Sequence, residues 1–237
     1  ESIIWNRENT KTNIKALIVN TKNANTFTGD QGLNGLNEVA KKLVDYLRIY
    51  ETENRYVKSK VKDLLFASTG VIGEKFPVEK IIEHIPELVD NIRINQNKLI
   101  WIKMASAIMT TDTKPKVAYS EIKVGDKLVK ISGVAKGSGM IAPNLATMFS
   151  FIFTDADISS ITLNKYLKKV LFNTFNAITV DSDTSTNDMV AIFSTKKIKS
   201  KKLNTISSKE GKKFEKALQT VCLDLAKQIV VDGEGAK

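Results

Sequence analysis

Apolar residues recur along this chain with two periods, one near 3.6 residues and one near 2, and the switches between them lay out its elements. Lys15 to Asn20 is a short apolar run of the kind a buried strand presents. A glycine-containing polar loop follows, and Leu36, Val39, Ala40, Leu43, Val44 and Leu47 then predict a helix through about Tyr50. Leu64 to Ala67 reads as a second strand running into the turn Ser68-Thr69-Gly70. Past Pro77, at a first-turn position, Val78, Ile81, Ile82, Ile85, Leu88, Val89 and Ile92 form another helical stripe, with Pro86 predicting a kink or break. Residues 98–109 read as helical and end at the polar Thr110-Thr-Asp-Thr113.

The second half is richer in strands. Val117–Val124 and Lys127–Ala135, parted only by Gly125-Asp126, predict a β-hairpin. Met148–Thr154 and Met189–Ser194 read as strands. About Thr162–Ala177 and Lys212–Val231 read as helices, the last with Phe214, Ala217, Leu218, Val221, Cys222, Leu225 and Ile229 on one side. Hairpin chemistry mixed with amphipathic helices points to an α+β layered fold in which helices cover sheet faces.

At 237 residues, 42% hydrophobic and 26% charged, the chain can bury one sizeable core, and a single globular unit is the expectation. One cysteine, Cys222, excludes an internal disulfide and any multi-cysteine zinc site, which suits a reducing compartment such as the cytoplasm. No apolar run approaches the roughly 18 residues of a membrane span. The start, Glu1-Ser-Ile-Ile-Trp-Asn-Arg-Glu, lacks the regions of a signal peptide. The net charge of +10 raises the question of nucleic acid, and Lys196, Lys197, Lys199, Lys201, Lys202, Lys209, Lys212, Lys213 and Lys216 do cluster. Phe214 is the cluster's one aromatic residue and arginine is scarce, so a solvated loop is the better account and no nucleic-acid partner is expected.

Candidate chemistry concentrates in Lys136-Gly-Ser-Gly-Met-Ile-Ala-Pro-Asn-Leu-Ala-Thr-Met148, where Thr147 stands between a glycine-rich turn and an apolar run. A threonine hydroxyl is a weak nucleophile until a neighbouring base activates it, and an N-terminal amine can be that base. Breaking the Ala146–Thr147 bond would give Thr147 its own α-amine, which titrates at about 7.7–8.0. The plain alternative is that Gly137 and Gly139 shape a turn and Thr147 opens a strand. Other chemistries have little to stand on. His84, the only histidine, reads as a helix-surface residue and Cys222 as core. Asp181-Ser-Asp183 lacks the remaining ligands of a calcium loop, so no metal is expected. No phosphate-binding or dinucleotide fingerprint is present, and no cofactor is expected.

Six ordered blocks resemble the glutamate N-acetyltransferase / ornithine acetyltransferase family: Asn20–Gly32, Ala67–Gly73, Ala107–Thr113 with Pro115-Lys116, Lys136–Met148, Thr179–Asp188 and Asp232–Ala236. The resemblance implies an α/β/β/α sandwich and self-cleavage between Ala146 and Thr147 into residues 1–146 and 147–237 of one acetyltransferase domain. It also implies a nucleophile, Thr147, that carries acetyl from N-acetylornithine to glutamate, with acetyl-CoA as a further donor in some members. By the same resemblance Thr69 and Gly70 are oxyanion donors, and Thr110, Lys136, Thr147 and Glu234 contact substrate. The cleaved chains are expected to associate as a heterotetramer, and the family's chains run beyond both ends of this one.

Three departures qualify the match. Ser182 stands where the family usually has glycine, Thr21-Lys22 replaces a usual Ser-Gly, and no threonine lies between Ala236 and Lys237. Two other readings stay open: an amidase or aminopeptidase with the same threonine nucleophile, and a lysine-patch nucleic-acid-binding protein.

Overall fold

The computed structural model describes residues 1–10, 13–51, 58–94, 99–142, 148–183 and 185–235, with backbone only at 93 and 94. The chain forms two compact units, Glu1–Ile100 and Trp101–Lys237.

In the first unit, β1 (Ala16–Asn20) and β2 (Leu64–Ser68) pair in parallel, with Ala16 opposite Leu64 and Asn20 opposite Ser68. Helices α2 (Gly29–Ile49) and α3 (Val78–Ile94) supply most of the core, the predicted stripe residues Leu36, Val39, Ala40, Leu43, Val44, Ile85 and Val89 all being buried. Gly35 lets α2 approach closely, because a Cβ there would stand 2.5 Å from Val78 Cγ2. The α3 helix is continuous through Pro86. Proline removes one intrahelical hydrogen bond, and the apolar stripe on both sides of it outweighs that loss.

One helix is not legible in the hydropathy pattern: α1 (Ser2–Asn9), whose Trp5 is buried against Phe66 with ring centroids 4.8 Å apart, edge to face. Its Asn6 side chain takes the place of a missing strand. The amide donates to Phe66 O at 2.7 Å and the side-chain oxygen accepts from Phe66 N at 2.9 Å, closing the free edge of β2.

The second unit starts with α4 (Ile100–Ala107, its first residue at the boundary) and is built on a four-stranded sheet of order β3-β4-β5-β6. The strands are β3 (Lys116–Val124), β4 (Lys127–Lys136), β5 (Phe149–Ala156) and β6 (Met189–Ile198). The first three are antiparallel neighbours and β5 pairs with β6 in parallel. The hairpin turn falls at Gly125-Asp126 as predicted, with Gly125 at φ +63°. The β5–β6 crossover carries α5 (Ser160–Leu171), shorter than predicted because it gives way to a 3-10 turn at Phe175–Ala177.

Helix α6 (Lys209–Val231) lies on β3 and β4, and Gly133 admits it, since a Cβ there would meet Leu225 Cδ1 at 2.8 Å. Cys222 is buried in this core, and His84 is exposed on α3, as expected from their positions. Both units are mixed α+β, the class expected. No helix among the described residues is long and apolar enough to cross a membrane.

Candidate active site

The second unit gathers four of the matching motifs at the end of β4. Lys136, the last residue of that strand, lies opposite Phe149, the first residue of β5, so the loop between them leaves and re-enters the sheet at neighbouring positions. Ala146 and Thr147 fall in this loop and lie outside the described residues. The segment 179–188 braces the loop on both sides of them. Asp181 accepts from Met140 N at 2.5 Å and Ile141 N at 2.8 Å, and Thr179 Oγ1 donates to Ile141 O. Asp188 accepts from Met148 N at 2.7 Å, while Met189 N donates to Met148 O at 3.1 Å. Met148 is thereby held at both backbone polar groups. Burial raises the Asp188 carboxyl to about 6, against the opposing effects of the Met148 N–H and the Lys136 charge.

Two lysines are equally buried here, each 1% exposed, and they differ in company. Lys116 Nζ donates to Asp112 Oδ1 at 2.6 Å and to Asp232 Oδ2 at 2.5 Å, so its charge is answered within the fold. Lys136 Nζ donates to Thr110 Oγ1 at 3.0 Å, lies 5.9 Å from the Phe149 ring centroid, and has no ion pair among the described residues. Desolvation pushes the Lys136 ammonium below the usual lysine range, although Asp112 and Asp188 favour its charged form. A desolvated cation with one hydroxyl partner is costly to keep and is suited to receive an anion.

Glu234 lies close by. Its backbone N donates to Ser138 O at 2.6 Å, and a Cβ on Gly139 would stand 2.9 Å from its carboxyl carbon. Thr111 and Ser138 hydroxyls share a hydrogen bond of 2.7 Å across the same gap. The Glu234 carboxylate is exposed and makes no hydrogen bond or ion pair among the described residues. Thr110, Lys136 and Glu234 therefore present a hydroxyl, a cation and an exposed anion on three joined segments.

Thr69 and Gly70 belong to the first unit, just past β2. Residues 69–73 are zipped to 22–26: Val71 N donates to Lys22 O, Ala24 N to Val71 O and Gly73 N to Thr26 O. Gly70 has φ +134°, and a Cβ on it would stand 2.2 Å from Lys22 C. Thr69 N donates to Asn20 O at 3.0 Å. The Thr69 hydroxyl and the Gly70 N–H have no hydrogen-bond partner among the described residues.

Nothing in the hydropathy pattern marks Asp112, Lys116, Asp181, Asp188 or Asp232 as site residues. The available signal is that all five fall inside the matching motifs, with Asp112 and Lys116 four apart. Of the clustered lysines, Lys196 and Lys197 end β6, Lys209, Lys212, Lys213 and Lys216 lie on α6, and Lys199 pairs with Asp157 at 3.2 Å.

The ArgJ family model matches residues 1–237. The chain is 42% identical over 224 residues to the arginine biosynthesis bifunctional protein ArgJ of Neisseria meningitidis serogroup A, covering 94% of this chain and 51% of that one. It is 39% identical over 222 residues to the protein of the same name from Zymomonas mobilis, again covering 94% and 51%. In structure it is similar to the arginine biosynthesis bifunctional protein ArgJ of Bacillus halodurans, with a TM-score of 0.49 and 29% identity over 60% of this chain and 69% of that chain. The chain spans about half the length of the curated relatives it matches. With a family match along its whole length, this chain belongs to the ArgJ family.

Proposed function

We propose that the protein is an acetyltransferase that moves acetyl from N-acetylornithine to glutamate through an acetyl-threonine at residue 147. The observation that carries this reading is the contrast between the two buried lysines. Lys116 is neutralised by Asp112 and Asp232, whereas among the described residues Lys136 has the Thr110 hydroxyl on its ammonium and no ion pair. An amino-acid α-carboxylate would supply an anion for Lys136, and the exposed Glu234 carboxylate would meet a substrate ammonium. Family membership supplies the reaction class, since the relatives are arginine biosynthesis proteins by name.

Activation would begin with Thr147 Oγ attacking the Ala146 carbonyl carbon, the peptide C–N bond breaking as an ester forms. Water then cleaves that ester, leaving a carboxylate at Ala146 and a free α-amine on Thr147. In turnover the amine takes the hydroxyl proton as Oγ attacks the acetyl carbonyl, and returns it to the departing ornithine nitrogen. The acetyl ester on Thr147 is then attacked by the glutamate amine, which restores the hydroxyl. Thr69 Oγ1–H and Gly70 N–H are the assigned oxyanion donors, a role suited to donors that the described residues leave unspent. One such donor is worth about 10²–10³ in rate. Acetyl-CoA as a second donor, a cytoplasmic location and association of the two cleaved chains into a heterotetramer belong to the same proposal.

The same nucleophile in an amidase would pass the acyl group to water. Purified full-length protein incubated with N-acetylornithine, with and without glutamate, separates the two by product. The transferase reading expects N-acetylglutamate and ornithine in equal amounts and little free acetate. Free acetate formed at the same rate whether or not glutamate is present would establish the hydrolase instead.

A further inference from the structure

The three proposed substrate contacts of the second unit sit on three separate segments, 110–113, 136–139 and 232–234, and one buried ion cluster touches all three. Asp112 accepts from Gly137 N at 2.6 Å and from Thr110 N at 3.1 Å, so a single carboxylate grips the backbone of one contact residue and the residue after another. Lys116 bridges Asp112 to Asp232, and Asp232 in turn accepts from Thr113 N at 3.0 Å and from the Thr113 hydroxyl. Asp232 is followed two residues later by Glu234, whose N–H returns to Ser138 O. We propose that the Asp112–Lys116–Asp232 triad is a positioning device for the amino-acid site, holding Thr110, Lys136 and Glu234 at one spacing and so setting substrate affinity. The proposal rests on those three residues being ligand contacts.

Stability alone explains the triad poorly. Charges taken out of water repay little of their desolvation cost, and apolar replacements of such clusters are often neutral or stabilising. Asp232 is moreover the C-cap of α6, where the helix dipole disfavours a carboxylate. A carboxylate kept there against both effects is explained by its place between Thr113 and Lys116. The triad carries a net negative charge beside Lys136, whose charged form is opposed by burial, favoured by Asp112 and Asp188, and opposed by Lys116.

Asp112→Asn in the full-length protein tests this with little change of shape, because it removes the negative charge and leaves the Lys116–Asp232 pair intact. The expected result is a KM for N-acetylornithine and for glutamate raised about tenfold, as loss of a charge-assisted hydrogen bond predicts. The turnover number should change less, the signature of lost uniform binding. The alkaline limb of the pH profile should move to lower pH, because Lys136 loses a charge that favours protonation. An unchanged KM and alkaline limb, with only a lower melting temperature, would make the triad a structural brace and overturn the proposal.

Should Asp112→Asn not fold, Asp112→Asn with Lys116→Met and Asp232→Asn leaves no triad charge and carries the same KM expectation. Ornithine binding measured by calorimetry needs no turnover and keeps the two readings apart. Wild-type protein that binds ornithine without transferring acetyl sinks the transferase reading, and the variant's dissociation constant then tests the triad. Wild-type protein that does not bind ornithine removes the contacts on which the triad proposal depends.

Discussion

At the scale of single residues, the chain places two lysines in equal burial and gives them opposite surroundings. Both occur in the matching motifs, and nothing in residue type separates them; only their neighbours in space do. Hydropathy could not reveal that Lys116 lies inside, since a lysine between Pro115 and the predicted strand start at Val117 reads as a polar residue just outside the strand. Ser182 shows the reverse case, in which a sequence departure has a physical counterpart. It stands where the family usually has glycine, and it adopts φ +65°, where a side chain crowds the backbone. Relieving that crowding is worth about 1–2 kcal/mol, offset by about 0.4–1 kcal/mol of extra freedom in the unfolded chain. Ser182→Gly is therefore expected to raise stability by about 0.5–1 kcal/mol, read as a higher urea midpoint. A lower midpoint would show that the Ser182 side chain contributes more than its backbone costs.

At the scale of elements, strongly periodic segments were legible and irregular ones were not. Helices α2, α3 and α6, the β3–β4 hairpin and strands β1 and β2 match their predicted positions within a few residues. Apolar periodicity over several turns leaves little choice of face. Helix α1 escaped because its eight residues are too few to show a period, and because its binding to β2 runs through a polar residue, Asn6. The turn after β2 was legible as a turn but not as a tight backbone contact. Gly70 is held at φ +134° with Lys22 backbone in the space a Cβ would fill. Gly70→Ala should cost about 2–4 kcal/mol through strain and overpacking, measured by denaturant unfolding. A loss under about 0.5 kcal/mol, the ordinary surface value, would mean that the 22–26 and 69–73 strips part more readily than their hydrogen bonds suggest.

At the scale of the whole molecule, the α+β class followed from patterning, while the division into residues 1–100 and 101–237 did not. No composition shift marks the boundary, which falls within α4, and the helical reading of 98–109 spans it. The residues that the motifs single out fall in both units. Thr69 and Gly70 lie in the first unit, Thr110, Lys136 and Glu234 in the second, and six ordered motifs name the parts of both. Motif order could supply that list because each block is local in sequence. It could not supply the Asp112–Lys116–Asp232 cluster as a cluster, whose members reach across more than a hundred residues of chain.

Thr147 is proposed to be a nucleophile freed by cleavage at its own N-terminal side. Intact-mass analysis of the full-length protein, before and after addition of N-acetylornithine without glutamate, tests it most directly. The expected result is a cut between Ala146 and Thr147, one acetyl group gained by the fragment that begins with Thr147, and neither event in Thr147→Ala. An uncut wild-type protein that transfers acetyl at full rate, or an acetyl group carried elsewhere, would contradict it.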